Sequence, residues 1–236
     1  MAKKIKIKGV IIPNDYKWIY DWFEIDSTCP NDVSNVLDTL NGEEIEIEIN
    51  SGGGDVYSGS EIYTTLKGYE GKKTTKIVGV AASAASIIAM AGDKVLISPT
   101  AQMMIHNVKG GAEGDYRDLG HASDVLKNYN KSISNAYRLK TGLSEKELLD
   151  LMNKESWFNA QQALEYKFVD QIMFDDQMQL VASSGFAPMI PVEVINKIRS
   201  TIKNPGNANS NESDFLLQKT KAQLNLLKLK GEMINE

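Results

Sequence analysis

The chain has 236 residues, of which 42% are hydrophobic and 24% charged, enough for one large domain with a substantial core, or a domain with an appendage. A net charge of −5 disfavours a nucleic-acid binder, and a single cysteine, Cys29, excludes an intrachain disulfide. The basic start, Met1-Ala2-Lys3-Lys4, leads into no apolar run or cleavage site, and the weakly polar stretch 78–92 is too short to span a bilayer, so the expected setting is cytoplasmic with no membrane partner.

Residues 5–12 (IKIKGVII) alternate and then turn apolar, which predicts a first strand. Val33, Val36, Leu37 and Leu40 share one face of a predicted helix over 31–41, with Asn31 or Asp32 as its cap. Strict alternation in EIEIEI predicts a strand over 44–49, followed at once by the glycine run Gly52-Gly53-Gly54, read as a loop. A helix is predicted over 55–67, a short strand over 76–80 and a helix over 84–91 that Gly92 stops. Two apolar strands, 94–98 and 101–105, come next. A long helix is predicted over about 115–140, where Leu119, Ala122, Leu126, Tyr129, Ile133 and Ala136 recur at three- and four-residue steps. Shorter helices near 144–153 and 159–166 complete a pattern of alternating strands and helices, which predicts an α/β domain.

The composition changes after residue 173. The chain divides into a domain over 1–173, an extension over 174–202, a polar linker over 203–214 (KNPGNANSNESD) and an amphipathic tail helix over 215–236.

Three short segments carry candidate chemistry. The run Asn50-Ser51-Gly52-Gly53-Gly54-Asp55 offers backbone N–H groups between a strand and a helix; it lacks the Lys-Ser/Thr ending of a phosphate-binding loop, and a turn without a ligand accounts for it equally well on its own. Ser83, in GVAASAAS, falls where a strand passes into a helix, a position that presents a hydroxyl beside free N–H groups; the alternative is a helix packed tightly through Ala and Ser. His106 ends the apolar strand QMMIH, where the sheet can hold its ring toward a cleft, or where it can serve structure alone. The other histidine, His121, stands among polar neighbours on the long helix, as a solvated or packing residue. Taken together in chain order, the glycine run, the serine and the histidine are the parts acyl transfer needs: donor, nucleophile and base.

The segments 45–62 (IEIEINSGGGDVYSGSEI), 79–92 (GVAASAASIIAMAG), 102–111 (QMMIHNVKGG) and 156–172 (SWFNAQQALEYKFVDQI) resemble four consecutive blocks of the Clp protease proteolytic subunit, a family of serine peptidases. The resemblance implies a ClpP/crotonase-type α/β fold, with a protruding handle helix at 115–140 and, foreign to the family pattern, an extra C-terminal helical tail. It implies Ser83 as nucleophile, with Ser86 in a packing role, and His106 as general base. The acidic member is normally an aspartate; here the position holds Glu155, with Asp150 as a fallback five residues upstream. The N–H groups of Gly54 and Ala84 are the implied oxyanion donors. The family has proline where this chain has Gly52, which implies a more flexible loop.

No metal or organic cofactor is implied. The implied partners are polypeptide substrates, copies of the chain in a heptameric or tetradecameric ring, and a Clp ATPase. The first strand starts near Ile5, leaving little of the family's pore-lining segment and putting ATPase docking in question. That feature and the added tail resemble the head maturation proteases of phages and prophages, which act on capsid and scaffold proteins. Three rival readings stand beside the active peptidase: an inactive ring or scaffold subunit, a crotonase-like acyl-CoA enzyme, and a serine–lysine peptidase, which needs a lysine in place of His106; Lys76 and Lys94 are nearest to Ser83 in sequence, and neither has a supporting motif.

Overall fold

A computed structural model describes residues 2–175. The expected linker (203–214), the tail helix (215–236) and all but the first two residues of the extension (174–202) lie outside the described residues.

In chain order the elements are β1 (Lys3–Ile11), a 3-10 turn (Asn14–Tyr16), α1 (Lys17–Trp22), β2 (Ser27–Thr28), α2 (Pro30–Leu37), β3 (Ile45–Gly54), α3 (Val56–Gly68), β4 (Lys73–Ala82) and α4 (Ala84–Ala89). They continue with β5 (Lys94–Ile97), β6 (Gln102–Ile105), α5 (Tyr116–Thr141), α6 (Glu145–Asn153), β7 (Ser156–Phe158), α7 (Ala160–Glu165) and β8 (Gln171–Ile172). The strands form one mixed sheet in the order β2-β1-β3-β4-β5-β8, parallel throughout; β6 pairs with β4 in parallel and with β7 antiparallel. This is the expected α/β class.

Alternation explains the centre of the sheet. Ile5 and Ile7 of β1, Ile45, Ile47 and Ile49 of β3, and Ile77 of β4 are buried on one face under the helices. The intervening Lys4, Glu46, Glu48 and Lys76 face the other way and neutralise one another: Lys4 Nζ lies 3.2 Å from Glu46 and 2.8 Å from Glu48, and Lys76 pairs with Glu46. A period of two thus serves both a core and a charge-paired face.

Several boundaries differ from the sequence reading for local reasons. Strand β3 runs on to Gly54, which pairs with Ile11, so the glycine run is the last part of a strand rather than a loop after it. Helix α2 starts at Pro30 and is capped by Cys29 and Asp32, not by Asn31: the Cys29 N–H donates to Asp32 Oδ2 at 2.9 Å, and proline suits the first helical position. Strand β4 spans ten residues instead of five, because β3 and β5 pair with its polar start from Lys73 and Thr74 and β6 pairs with its apolar end at Val80–Ala82. The segment 14–22, which shows no clean periodicity, holds a 3-10 turn and a short helix with no buried residue.

Helix α5 is capped by Asp115 and ends at Gly142 in the left-handed conformation (φ 75°). Its buried residues, Ile133, Ser134, Ala136, Tyr137 and Thr141, all lie in the last third. Leu119, expected to face inward, is exposed in the single chain, because the first part of the helix runs past the core it could pack on.

Strand β4 changes neighbours along its length, and this positions the site. Its first half pairs with β5 (Thr74–Ile77 against Lys94–Ile97), and its end pairs with β6 (Val80–Ala82 against Gln102–Met104). The carboxyl ends of β3, β4 and β6 therefore converge, at the edge where open α/β sheets place ligands.

Candidate active site

Ser83 follows the last residue of β4. Its N–H donates to the Met104 carbonyl at 3.0 Å, tying the turn to β6, and the chain enters α4 at the next residue. The backbone of Ser83 has φ 55° and ψ −126°, a strained conformation for a residue other than glycine. The sequence lacks the G-x-S-x-G pattern, yet the strand–turn–helix arrangement is of the kind that thrusts a serine hydroxyl out of a sheet.

His106 follows β6 directly. Its Nε2 lies 2.7 Å from Ser83 Oγ. With the serine hydroxyl donating to Nε2, the proton of the neutral ring sits on Nδ1. That Nδ1 is buried and has no hydrogen-bond partner. The nearest carboxylate oxygen, Glu155 Oε2, is 3.9 Å away, outside hydrogen-bond range, and the same oxygen accepts from Lys109 Nζ at 3.2 Å. Burial lowers the pKa of His106, the Lys109 charge lowers it further, and Glu155 opposes both. Glu155 is itself held below the usual carboxylate range, chiefly by the Lys109 ammonium. It occupies a left-handed position (φ 50°) just after α6.

Glycines bring the end of β3 against the serine. A Cβ at Gly53 (φ +95°) would stand 2.7 Å from the Ser83 Cβ and 3.0 Å from the Ala84 nitrogen, and one at Gly54 (φ +150°) would stand 2.1 Å from the Ile11 carbonyl oxygen. The Ala84 N–H belongs to the first turn of α4, where no acceptor exists within the helix. Gly54, Ser83, Ala84 and His106 line one cleft of about 340 Å³, walled by apolar and aromatic side chains such as Ile87 and Tyr129.

The structure thus brings together Ser83, His106, Gly54 and Ala84, and places Glu155 beside them without a bond to the imidazole. Asp150 is paired with Lys146 at 3.0 Å on α6 and is not in the cleft. His121 is exposed on α5 and does not line the cleft. Among the described residues no group of three or more His, Cys, Asp and Glu side chains stands close enough to hold a metal ion, and no helix is long and apolar enough to cross a membrane.

Residues 18–176 match the family profile described as Clp protease. The chain belongs to the Clp protease family. It is 35% identical over 142 residues to an ATP-dependent Clp protease proteolytic subunit of Deinococcus radiodurans, a match covering 58% of this chain and 69% of that protein. The subunit of the same description from Chlorella vulgaris is 30% identical over 158 residues (64% of this chain, 79% of that protein), and one from Bacteroides fragilis is 33% identical over 140 residues (58% and 68%). The mostly parallel sheet with flanking helices agrees with the Clp-type fold.

Within this Clp-type framework four supporting contacts escaped the sequence reading. The Asn107 side chain donates to Asn153 Oδ1 at 2.8 Å, and the Val108 N–H donates to Asn130 Oδ1 at 2.8 Å, so the segment after His106 is pinned to both α6 and α5. Behind the nucleophile, Ser86 Oγ donates to the Ser83 carbonyl at 2.6 Å and lies 2.8 Å from the Tyr137 hydroxyl. Ser86 has one proton, already committed, so Tyr137 donates to it. Tyr137 is fully buried, and burial raises its pKa. Its place at Ile133 plus four was the available sequence signal. Tyr137→Phe is expected to lower stability by about 1–2 kcal/mol by leaving the buried Ser86 oxygen one donor short; an unchanged melting temperature would contradict this network.

Proposed function

We propose that the chain is a serine endopeptidase that hydrolyses peptide bonds in unfolded or assembly-associated proteins, with Ser83 as nucleophile, His106 as general base and Glu155 as the acidic member. The 2.7 Å contact between Ser83 Oγ and His106 Nε2, on a strained strand-to-helix turn, carries this reading. Ser83 Oγ attacks the peptide carbonyl while Nε2 takes its proton. The oxyanion is received by the Gly54 and Ala84 N–H groups. The intermediate collapses as His106 returns the proton to the leaving amine; water, deprotonated by His106, then attacks the acyl carbonyl, and as the bond to Ser83 breaks His106 returns that proton to Ser83 Oγ. Each step uses side chains and backbone already in the cleft.

By analogy with the family, the working form is a ring of seven subunits or a stacked pair of such rings. An ATPase partner is proposed on the same footing, since the relatives are named ATP-dependent. For assembly-associated substrates the proposal names capsid and scaffold polypeptides, as in phage head maturation. The domain is proposed to end near residue 173.

The test is reaction of the purified chain with a serine-directed fluorophosphonate, beside hydrolysis of a fluorogenic peptide. Labelling at Ser83 with peptide turnover supports the peptidase. One observation favours a second reading, an inactive ring or scaffold subunit: Nδ1 has no acceptor while Glu155 is engaged by Lys109. That reading expects intact oligomers that neither label nor cleave.

The pH profile gives a separate check. His106 acts as base only when neutral, so activity falls as pH drops through its pKa, which burial and Lys109 place below the ordinary imidazole value. The acid limb of kcat/KM is therefore expected below pH ~6.5. A limb above that value would show that the base sits in a different environment.

A further inference from the structure

The distances around Glu155 describe a competition for one oxygen. Oε2 is the atom nearest both to Lys109 Nζ (3.2 Å) and to His106 Nδ1 (3.9 Å), and only the first is a hydrogen bond. The two contacts differ in what their loss costs. Lys109 and Glu155 have side-chain exposures of 76% and 47%, so their ion pair is a solvent-screened contact that forms and breaks readily. The Nδ1–H group, in contrast, is buried with nothing to accept its proton, the costlier state for a polar group. On this balance the carboxylate belongs on the imidazole, and the ammonium is what keeps it away.

Lys109 is placed to be moved. The pinned stretch of the loop ends at Val108, and Lys109 precedes the pair Gly110-Gly111. Lys109 and Gly110 line the same cleft as Ser83 and His106, so a polypeptide lying across the nucleophile meets this lysine.

Resting on the serine-peptidase reading, we propose that Lys109 is a positioning residue that brakes the site: it holds the Glu155 carboxylate off His106 in the free enzyme, and substrate in the cleft displaces it, so that the triad closes on occupancy. The other charged group lining the cleft, Asp55, is committed to capping α3 through the Ser58 N–H at 2.7 Å, and the remaining titratable side chains there are the phenols Tyr57, Tyr129 and Tyr137.

The test compares wild type, Lys109→Met and Lys109→Arg in full-length protein, each with and without Glu155→Gln. Methionine keeps the stem and removes the charge; arginine keeps both. Lys109→Met is expected to raise kcat/KM on a fluorogenic peptide at least about five-fold, because the brake acts on the free enzyme, at the lower range of coupling between linked sites, with Lys109→Arg close to wild type. It also moves the acid limb of the profile upward, since a cation that lowers the His106 pKa is gone and the carboxylate that raises it comes nearer. Loss of the ammonium field alone shifts that limb in either background, so the decisive readout is the rate. In the Glu155→Gln background, followed by the rate of fluorophosphonate labelling, the gain from Lys109→Met is expected to vanish. A Lys109→Met variant that is slower than or equal to wild type overturns the brake, as does a gain that persists without Glu155. Absence of Ser83-dependent hydrolysis and labelling in both wild type and Lys109→Met overturns instead the peptidase reading on which the brake depends.

Discussion

Replacing Ser83 with alanine is expected to lower kcat on a fluorogenic peptide by about 10⁶-fold, the loss measured when the serine of a comparable unit is removed. The reason is local. Ser83 Oγ lies 2.7 Å from His106 Nε2, and it lines the same cleft as Gly54 and Ala84, whose N–H groups are the proposed oxyanion donors. Without it the imidazole has no attacking oxygen to deprotonate, and only binding and backbone donors remain, worth about 10³–10⁴ over water in such sites. His106→Ala should cost about as much, and the double variant little more, because nucleophile and base act as a unit. The fold should survive: the hydroxyl is bonded to His106, while the turn is held by the Ser83 N–H to Met104 and by Ser86 on the Ser83 carbonyl. An unaltered melting temperature beside lost turnover would separate chemistry from folding. Equal turnover in the variant would move the reaction away from Ser83 altogether.

The sheet and the site differ in how far the amino-acid sequence exposes them. Alternation in EIEIEI marks β3 because each isoleucine is buried and each glutamate is charge-paired on the opposite face, so one period reports both. Strands β2 and β8 have two residues each, too few for any period to emerge. Ser83 and His106 are legible because strand ends and a strand-to-helix junction announce themselves locally, and the fold then closes the gap to 2.7 Å. The glycine run shows why a residue pattern can be right and its structural label wrong: glycines at 53 and 54 are demanded by the close approach of Ser83 and Ile11, and that approach is made by a paired strand rather than by a loop. Lys109 is the opposite case. Nothing in HNVKGG distinguishes a solvated lysine from one that holds a carboxylate 46 residues further on; only the pinning of that segment to α5 and α6 brings the two together.

Glu155→Gln is expected to lower kcat by about 10⁴-fold, the cost of an equivalent amide substitution in a serine–histidine–acid triad. The resting geometry makes this a demanding prediction, because a carboxylate 3.9 Å from Nδ1 neither fixes the tautomer nor meets the imidazolium with a hydrogen bond. The full loss requires that the carboxylate close by about 1 Å during turnover, to the distance at which charge-assisted hydrogen bonds form. Its surroundings permit the movement: Glu155 is half-exposed, follows the last turn of α6, and is engaged chiefly by the exposed Lys109, with a lesser contribution from the Trp157 side chain. Glutamine keeps the size and removes the charge, and stability should change little, since the Lys109 pair it loses is at the surface. Single-turnover rates with matched melting curves make the measurement. A loss of 10⁴ identifies Glu155 as the acidic member in the reacting state. A loss smaller than about ten-fold would mean that Ser83 and His106 work as a dyad, with the Nδ1–H group unpaired throughout the reaction.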